Sequence, residues 1–190
     1  GTGDRRVNPG AARPYFYDLT GHWAREVIED LAARGLVQGA EPGRFVPDRP
    51  ITRAELVALL LRLLQIPGAV PAQATFTDVP PGKWFYAPVE AAHRAGLVTG
   101  RGGGRFAPHA PVTRQEMAVL LLRVLERAGA NTPPGVGEQQ QVLGHFVDNP
   151  AVAPWARRAV AAVTKLGVVQ GRPDRTFGPE AGTTRAEAAV

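Results

Sequence analysis

Hydrophobic residues recur along the chain at the three- or four-position spacing of one helix face. In the clearest segment the apolar positions are Trp23, Val27, Ile28, Leu31 and Ala32. This spacing indicates an amphipathic helix, and the glycine that follows, Gly35, is a common helix end. Similar segments follow Trp84 and Trp155. The sequence therefore predicts three amphipathic first helices that begin around their tryptophans.

A second kind of segment is apolar on nearly all sides. It covers Leu56 to Leu64 and again Met117 to Leu125. A helix that is apolar all round belongs in the centre of a bundle. Each segment follows a Thr-Arg-x-Glu phrase, which predicts a capping box in which threonine and glutamate bond each other's backbone amides. The phrase begins at Thr52, Thr113 and Thr184. The third such helix reaches Val190 after about one turn, which predicts a shortened copy.

The two kinds of helix alternate because the chain contains a repeat. Offsets of 61 and 71 positions relate four sets of residues: Trp23, Trp84 and Trp155; Gly39, Gly100 and Gly171; Phe45, Phe106 and Phe177; and Arg53, Arg114 and Arg185. Each copy opens with Phe-x-Asp, whose aspartates are Asp18, Asp78 and Asp148. We place the repeats at 15–67, 75–129 and 145–190, after a leader at 1–14. A stretch at 130–144, rich in Pro, Gly and Gln, is predicted to be a linker.

Composition narrows the possible chemistry. Cysteine and serine are both absent, which excludes their acyl-transfer chemistry and disulfides. The 4 histidines show no metal-ligand spacing. We therefore expect no catalytic residue, no metal and no cofactor. The net charge is +5 and arginine dominates the basic residues, which favours a partner bearing carboxylate or phosphate oxygens. No apolar run is long enough to span a bilayer, so we expect no membrane insertion.

The ordered phrases Phe-x-Asp, a Trp-led helix, Gly-Leu-Val-x-Gly, Phe-x-Pro and Thr-Arg-Ala-Glu, repeated three times, resemble the S-layer homology family. The resemblance implies an all-α fold: a pseudo-three-fold trimer of helix-loop-helix repeats around a central three-helix bundle. It also implies an extracellular location in the bacterial cell wall or S-layer. The implied ligand is a pyruvylated secondary cell-wall polysaccharide attached to peptidoglycan, bound in grooves between repeats through pyruvylated N-acetylmannosamine. The main ligand-binding residues would be Arg53, Arg114 and Arg185.

The other repeated residues have structural as well as ligand-binding interpretations. The motif arginines lie at helix starts, where the positive end of the helix dipole disfavours a cation. An anion bound there would interact favourably with both the free backbone amides and the guanidinium. The tryptophans could anchor the first helices in the core or stack on sugars, the aspartates could cap a turn or accept sugar hydroxyls, and the glycines could serve a positive-φ turn or a close ligand approach. Gln115 replaces the family's alanine, and we expect it on the helix surface.

Several functions remain in competition. The leading one is non-covalent anchoring to an anionic wall glycan. The alternatives are an S-layer assembly module that self-associates through its incomplete third repeat, and the anchor fragment of a larger cell-wall enzyme. Nucleic-acid binding is not expected, because the charges of the three repeats, −1, +3 and +2, form no continuous basic face.

Overall fold

The computed structural model describes residues 15–130 and 134–190. The predicted leader at 1–14, and positions 131–133 of the predicted linker, lie outside the described residues. In the described chain the regular elements are helices, with no strand and only isolated β-bridges. The all-α prediction is confirmed, and the pseudo-three-fold trimer remains a prediction.

The first and second helices alternate as the hydrophobic pattern predicts. Short 3-10 turns lie at Tyr17–Leu19, Asn149–Ala151 and Pro154–Ala156. The α helices are α1 (Arg25–Ala33), α2 (Arg53–Leu64), α3 (Tyr86–Arg94), α4 (Arg114–Arg127), α5 (Val136–Leu143), α6 (Arg157–Lys165) and α7 (Arg185–Ala189).

The structure divides into two units. The smaller unit contains residues up to Pro50 together with Thr184–Val190, and the larger contains Ile51–Thr183. In the smaller unit α1 packs against α7. In the larger unit α2 packs against α3, and α4 packs against α6. In both units, therefore, a second helix packs against a first helix from a different repeat.

Within the larger unit, a closed ring of backbone hydrogen bonds joins residues from all three repeats. Ile51 N–H donates to Thr183 O (2.8 Å), Thr183 N–H to Val112 O (2.9 Å), and Val112 N–H to Ile51 O (3.1 Å). Each of these residues immediately precedes a capping threonine and is buried. The ring satisfies backbone groups that would be costly to bury unpaired.

The predicted caps and buried helices are found. Leu56 and Leu61 of α2 and Met117 of α4 are buried, as expected for apolar second helices. All three capping threonines accept the backbone N–H of the glutamate three positions later. The complete capping box is present in α2, whereas α4 lacks the return bond from Thr113 N–H to Glu116.

The predicted linker contains a helix. Residues 136–143 form α5, which packs against α6 and buries Leu143. Proline and glycine fall mainly before this segment, while its centre is a run of glutamines, which are good helix formers. The assignment of 130–144 as the linker between the second and third repeats stays a prediction, and within it the structure places the helix α5.

Candidate ligand-binding pocket

Arg53, at the first position of α2, fastens a loop of the second repeat. Its Nε donates to Phe106 O (2.9 Å) and its Nη2 to Thr99 O (3.2 Å). Its guanidinium carbon lies 4.5 Å from the centre of the Phe106 ring. The side chain therefore joins the start of one helix to the loop that precedes the next second helix.

The other two motif arginines make the same contacts. Arg114 Nε donates to Phe177 O (2.7 Å), and Arg185 Nε donates to Phe45 O (2.9 Å). Each guanidinium also lies over the ring of that phenylalanine. Helix stability alone does not explain these arginines, but loop fastening does. This structural role was missed by the sequence analysis, because the partners lie more than 50 positions away.

The repeated aspartates hold the same loops. Asp78 accepts two consecutive backbone N–H groups, those of Phe106 and Ala107, both at 2.8 Å. Burial raises the pKa of the Asp78 carboxyl, but these hydrogen bonds outweigh burial, so its pKa falls below the ordinary value. Asp18 and Asp148 make equivalent pairs of bonds. The predicted turn-capping role is corrected to loop pinning.

The repeated glycines are required for close packing rather than for a positive-φ turn. Gly39, Gly100 and Gly171 do not have positive φ angles. A Cβ on Gly100 would lie 2.8 Å from Arg105 O and 2.9 Å from the Phe76 ring. Gly39 and Gly171 likewise meet the phenylalanine of their own Phe-x-Asp phrase. The turn interpretation was wrong, because these positions lie where the loop crosses a ring.

The three tryptophans are exposed. Trp23, Trp84 and Trp155 retain 66%, 59% and 60% of their accessible surface. The α helices of their repeats begin two residues later, at Arg25, Tyr86 and Arg157. The core-anchor interpretation was therefore wrong, and the indole surfaces are available for contact.

A cavity of about 310 Å³ lies in the larger unit beside Arg53. Its volume falls at the lower end of the range usual for small-molecule sites. The polar and aromatic residues that line it are Arg53, Thr99, Arg101, Glu116, Arg123 and Trp155, and Gly100 lines it as well. Val98, Val119 and Leu120 form the apolar part.

Only some of the predicted site residues meet at this cavity. Arg53, Gly100 and Trp155 line it, one from each repeat. Other predicted residues of the larger unit do not line it: Asp78, Trp84, Arg114, Asp148 and Gly171. The smaller unit holds Asp18, Trp23, Gly39 and Arg185.

The cavity is positively charged. Three arginines and one acidic residue, Glu116, line it. Arg101 Nη2 donates to both Glu116 oxygens at 2.8 Å, and Arg53 Nη1 lies 3.9 Å from Glu116 Oε2. The pKa of Arg53 is lowered, mainly by burial and next by the positive charge of the neighbouring Arg101. An anion placed here would offset both effects.

Three of these residues escaped the sequence analysis as ligand-binding candidates. Arg101 directly follows the repeated glycine Gly100. Arg123 lies on α4, three positions after Leu120. Glu116 was assigned only to helix capping. Arg101 is adjacent to a repeated phrase and Glu116 is part of one, whereas Arg123 has no such signal in the sequence.

Gln115 was misplaced by the sequence analysis. It is buried, with 5% of its surface exposed, and its Oε1 accepts the backbone N–H of Ala153 at 3.0 Å. Ala153 lies two positions before Trp155, so this bond fixes the segment that carries the cavity's tryptophan. The expectation of a surface glutamine is corrected to a buried link.

Two further observations concern the described residues as a set. No helix in 15–130 or 134–190 has the length and apolar character needed to cross a membrane. The same residues contain no group of three or more His, Cys, Asp or Glu side chains placed to hold a metal ion.

Repeated helix pairs and loops held by aspartates define the class of helical, repeat-built modules. The sequence model of the S-layer homology domain matches residues 15–57, 75–118 and 145–189. The chain belongs to the S-layer homology domain family, as its repeated phrases predict. It is therefore a non-catalytic, extracellular anchoring module of the bacterial cell surface. Each match ends four positions after the motif arginine, so α7 falls wholly within the matched region.

Relatives carry this module as a small part of a longer chain. An amylopullulanase of Thermoanaerobacterium thermosulfurigenes is 37% identical over 92% of this chain, which spans 9% of that relative. The exoglucanase XynX of Acetivibrio thermocellus is 35% identical over 92% of this chain, which spans 16% of that protein. The S-layer protein sap of Bacillus anthracis is 29% identical over 96% of this chain, which spans 21% of that protein.

Proposed function

We propose that the cavity beside Arg53 binds the acidic group of a pyruvylated cell-wall glycan. The observation that carries this proposal is that three arginines and an exposed tryptophan line one sugar-sized cavity. Planar guanidinium groups bind carboxylates in a two-pronged geometry.

The unused donors of Arg53 support this proposal. Nε and Nη2 hold the loop, whereas Nη1 makes no hydrogen bond among the described residues and faces Glu116. Loop fastening therefore orients the guanidinium and leaves one nitrogen for an incoming carboxylate. The same residue serves structure and binding.

Trp155 supports the sugar part of the ligand. Its ring is mostly exposed and borders the cavity. An aromatic face offers a broad apolar surface, which suits the C–H face of a pyranose. The acidic substituent would then lie towards the arginines.

We extend the proposal to Arg114 and Arg185, which repeat the loop contacts of Arg53.

Titration calorimetry tests the proposal. The chain is titrated with a pyruvylated N-acetylmannosamine glycoside and with the same glycoside lacking pyruvate. We expect binding only to the pyruvylated form. Trp155→Ala and Arg123→Ala should weaken binding, because both side chains line the cavity. Arg158→Ala is the matched control, since it removes an exposed arginine that does not line the cavity.

Arg53→Ala needs a folding check. Because Arg53 fastens a loop, its loss could prevent binding by unfolding the site. Circular dichroism of each variant separates the two causes. Equal binding of both glycosides by the folded wild-type chain, or no binding of either, would refute the proposal.

We further propose that the module holds an attached protein on the cell wall. The supporting observation is that relatives named as an amylopullulanase, an exoglucanase and an S-layer protein all contain it as a small fraction of their length. A fluorescent protein fused to the chain should sediment with isolated wall fragments that carry the pyruvylated polymer. It should stay in solution with fragments stripped of that polymer. Retention on both would point to protein assembly instead.

A further inference from the structure

Two equivalent glutamates behave differently in the larger unit. Glu55 lies three positions after Thr52 and accepts its backbone N–H at 3.2 Å, which completes the capping box of α2. Glu116 lies three positions after Thr113 but does not make this bond. Its carboxylate is held by Arg101 instead. In the first repeat the position equivalent to Arg101 is Ala40, which is uncharged and cannot pair with a glutamate.

Glu116 stands where a ligand's acidic group is expected. Both of its oxygens lie 2.8 Å from Arg101 Nη2, and one lies 3.9 Å from Arg53 Nη1. The side chains of Arg101 and Glu116 retain 39% and 22% of their accessible surface. The ion pair is thus open to solvent and can be replaced by another ion pair at small cost.

We propose that Glu116 is an internal stand-in for the ligand's carboxylate, and that binding transfers Arg101 from Glu116 to the ligand. The released Glu116 then accepts the N–H of Thr113, as Glu55 does at Thr52. The new hydrogen bond from Thr113 N–H offsets part of the free energy lost with the Arg101–Glu116 ion pair. Arg101 becomes a second anion-binding residue beside Arg53. This inference rests on the proposed function of the cavity.

Calorimetry on four proteins tests the exchange: the wild-type chain, Glu116→Gln, Arg101→Ala and the double variant. The probe is the pyruvylated N-acetylmannosamine glycoside. Glu116→Gln should bind about two- to fivefold more tightly, because an exposed ion pair no longer competes. Arg101→Ala should bind more weakly by a similar factor. In the Arg101→Ala background, Glu116→Gln should give no gain.

Glu126→Gln is the matched control for charge. Glu126 is an exposed glutamate of the same helix, α4, and pairs with Arg158 outside the cavity. The control should leave affinity unchanged. Unchanged or weaker binding by Glu116→Gln, or a gain that persists without Arg101, would overturn the exchange while leaving the proposed function intact. No binding by the wild-type chain would refute the proposed function itself.

A ligand-free measurement tests the released state separately. In Arg101→Ala, Glu116 should turn to Thr113, so the Thr113 amide proton should exchange with solvent more slowly than in the wild-type chain. The Thr52 amide, already capped by Glu55, should exchange at an unchanged rate. An unchanged Thr113 rate would overturn the proposed movement whether or not the glycoside binds.

Discussion

Thr183 offers the sharpest test of how the structure accounts for stability. Its side chain is fully buried, and its hydroxyl has no hydrogen-bond partner. The equivalent members of the backbone ring are Ile51 and Val112, which are apolar and also buried. Thr183→Val removes the hydroxyl, keeps a similar shape and leaves the ring's N–H and C=O bonds in place.

We expect Thr183→Val to stabilise the chain. An unpartnered buried hydroxyl costs about 1–3 kcal/mol, so its removal should raise the free energy of unfolding by up to that amount. For a chain of this size, each kcal/mol corresponds to roughly 2–4 °C in Tm. Urea and thermal denaturation, followed by far-ultraviolet circular dichroism, measure both quantities.

Val112→Thr is the converse substitution at the equivalent ring position. It places a hydroxyl at a site that is fully buried and should destabilise the chain by a similar amount. If Thr183→Val lowers stability or leaves it unchanged, while Val112→Thr is tolerated, then the ring interior satisfies hydroxyl groups and the reasoning is refuted.

Two further predictions concern the loops. The pKa of Asp78 in the folded chain lies below its ordinary value of 3.8. The ionised carboxylate therefore stabilises the folded state fully above pH 3.8, and this stabilisation is lost as the pH falls through the lower folded pKa. Acid titration of wild-type and Asp78→Asn chains should show this loss only in the wild type; parallel curves would contradict it. Gly171→Ala should cost about 1–3 kcal/mol in urea denaturation, because the new Cβ meets the Phe146 ring, whereas Gly137→Ala, which meets no neighbour, should not destabilise.

The repeat structure could be predicted from the sequence because it is written in local patterns. Apolar spacing identified the first helices, and the all-apolar runs identified the buried second helices such as α2. The capping threonine at Thr52 marked a helix start to the residue. Family membership followed from the order of the same phrases. The helix signals each arise within a few helical turns, and the family signal arises from their order along the three repeats.

Some local signals were outweighed by their neighbours. The glutamine run of α5 was assigned to a linker, because proline and glycine nearby dominated the composition. Gln115 was expected at the surface, since a polar side chain on a helix is usually exposed. The hydrogen bond from Ala153 N–H satisfies its Oε1 and allows its burial. No pattern within the helix could indicate that partner.

The sequence by itself determined which residues recur, where the first and second helices of the repeats lie and which family the chain belongs to. Only the tertiary structure decided what the recurring residues do. Arg53 reaches Phe106 O and Asp78 reaches the amide of Phe106, across 53 and 28 positions of chain. Arg53, Glu116 and Trp155 meet at one cavity although each comes from a different repeat. Periodicity reports only which face of its own helix a residue occupies, whereas a site depends on which distant segments that face meets.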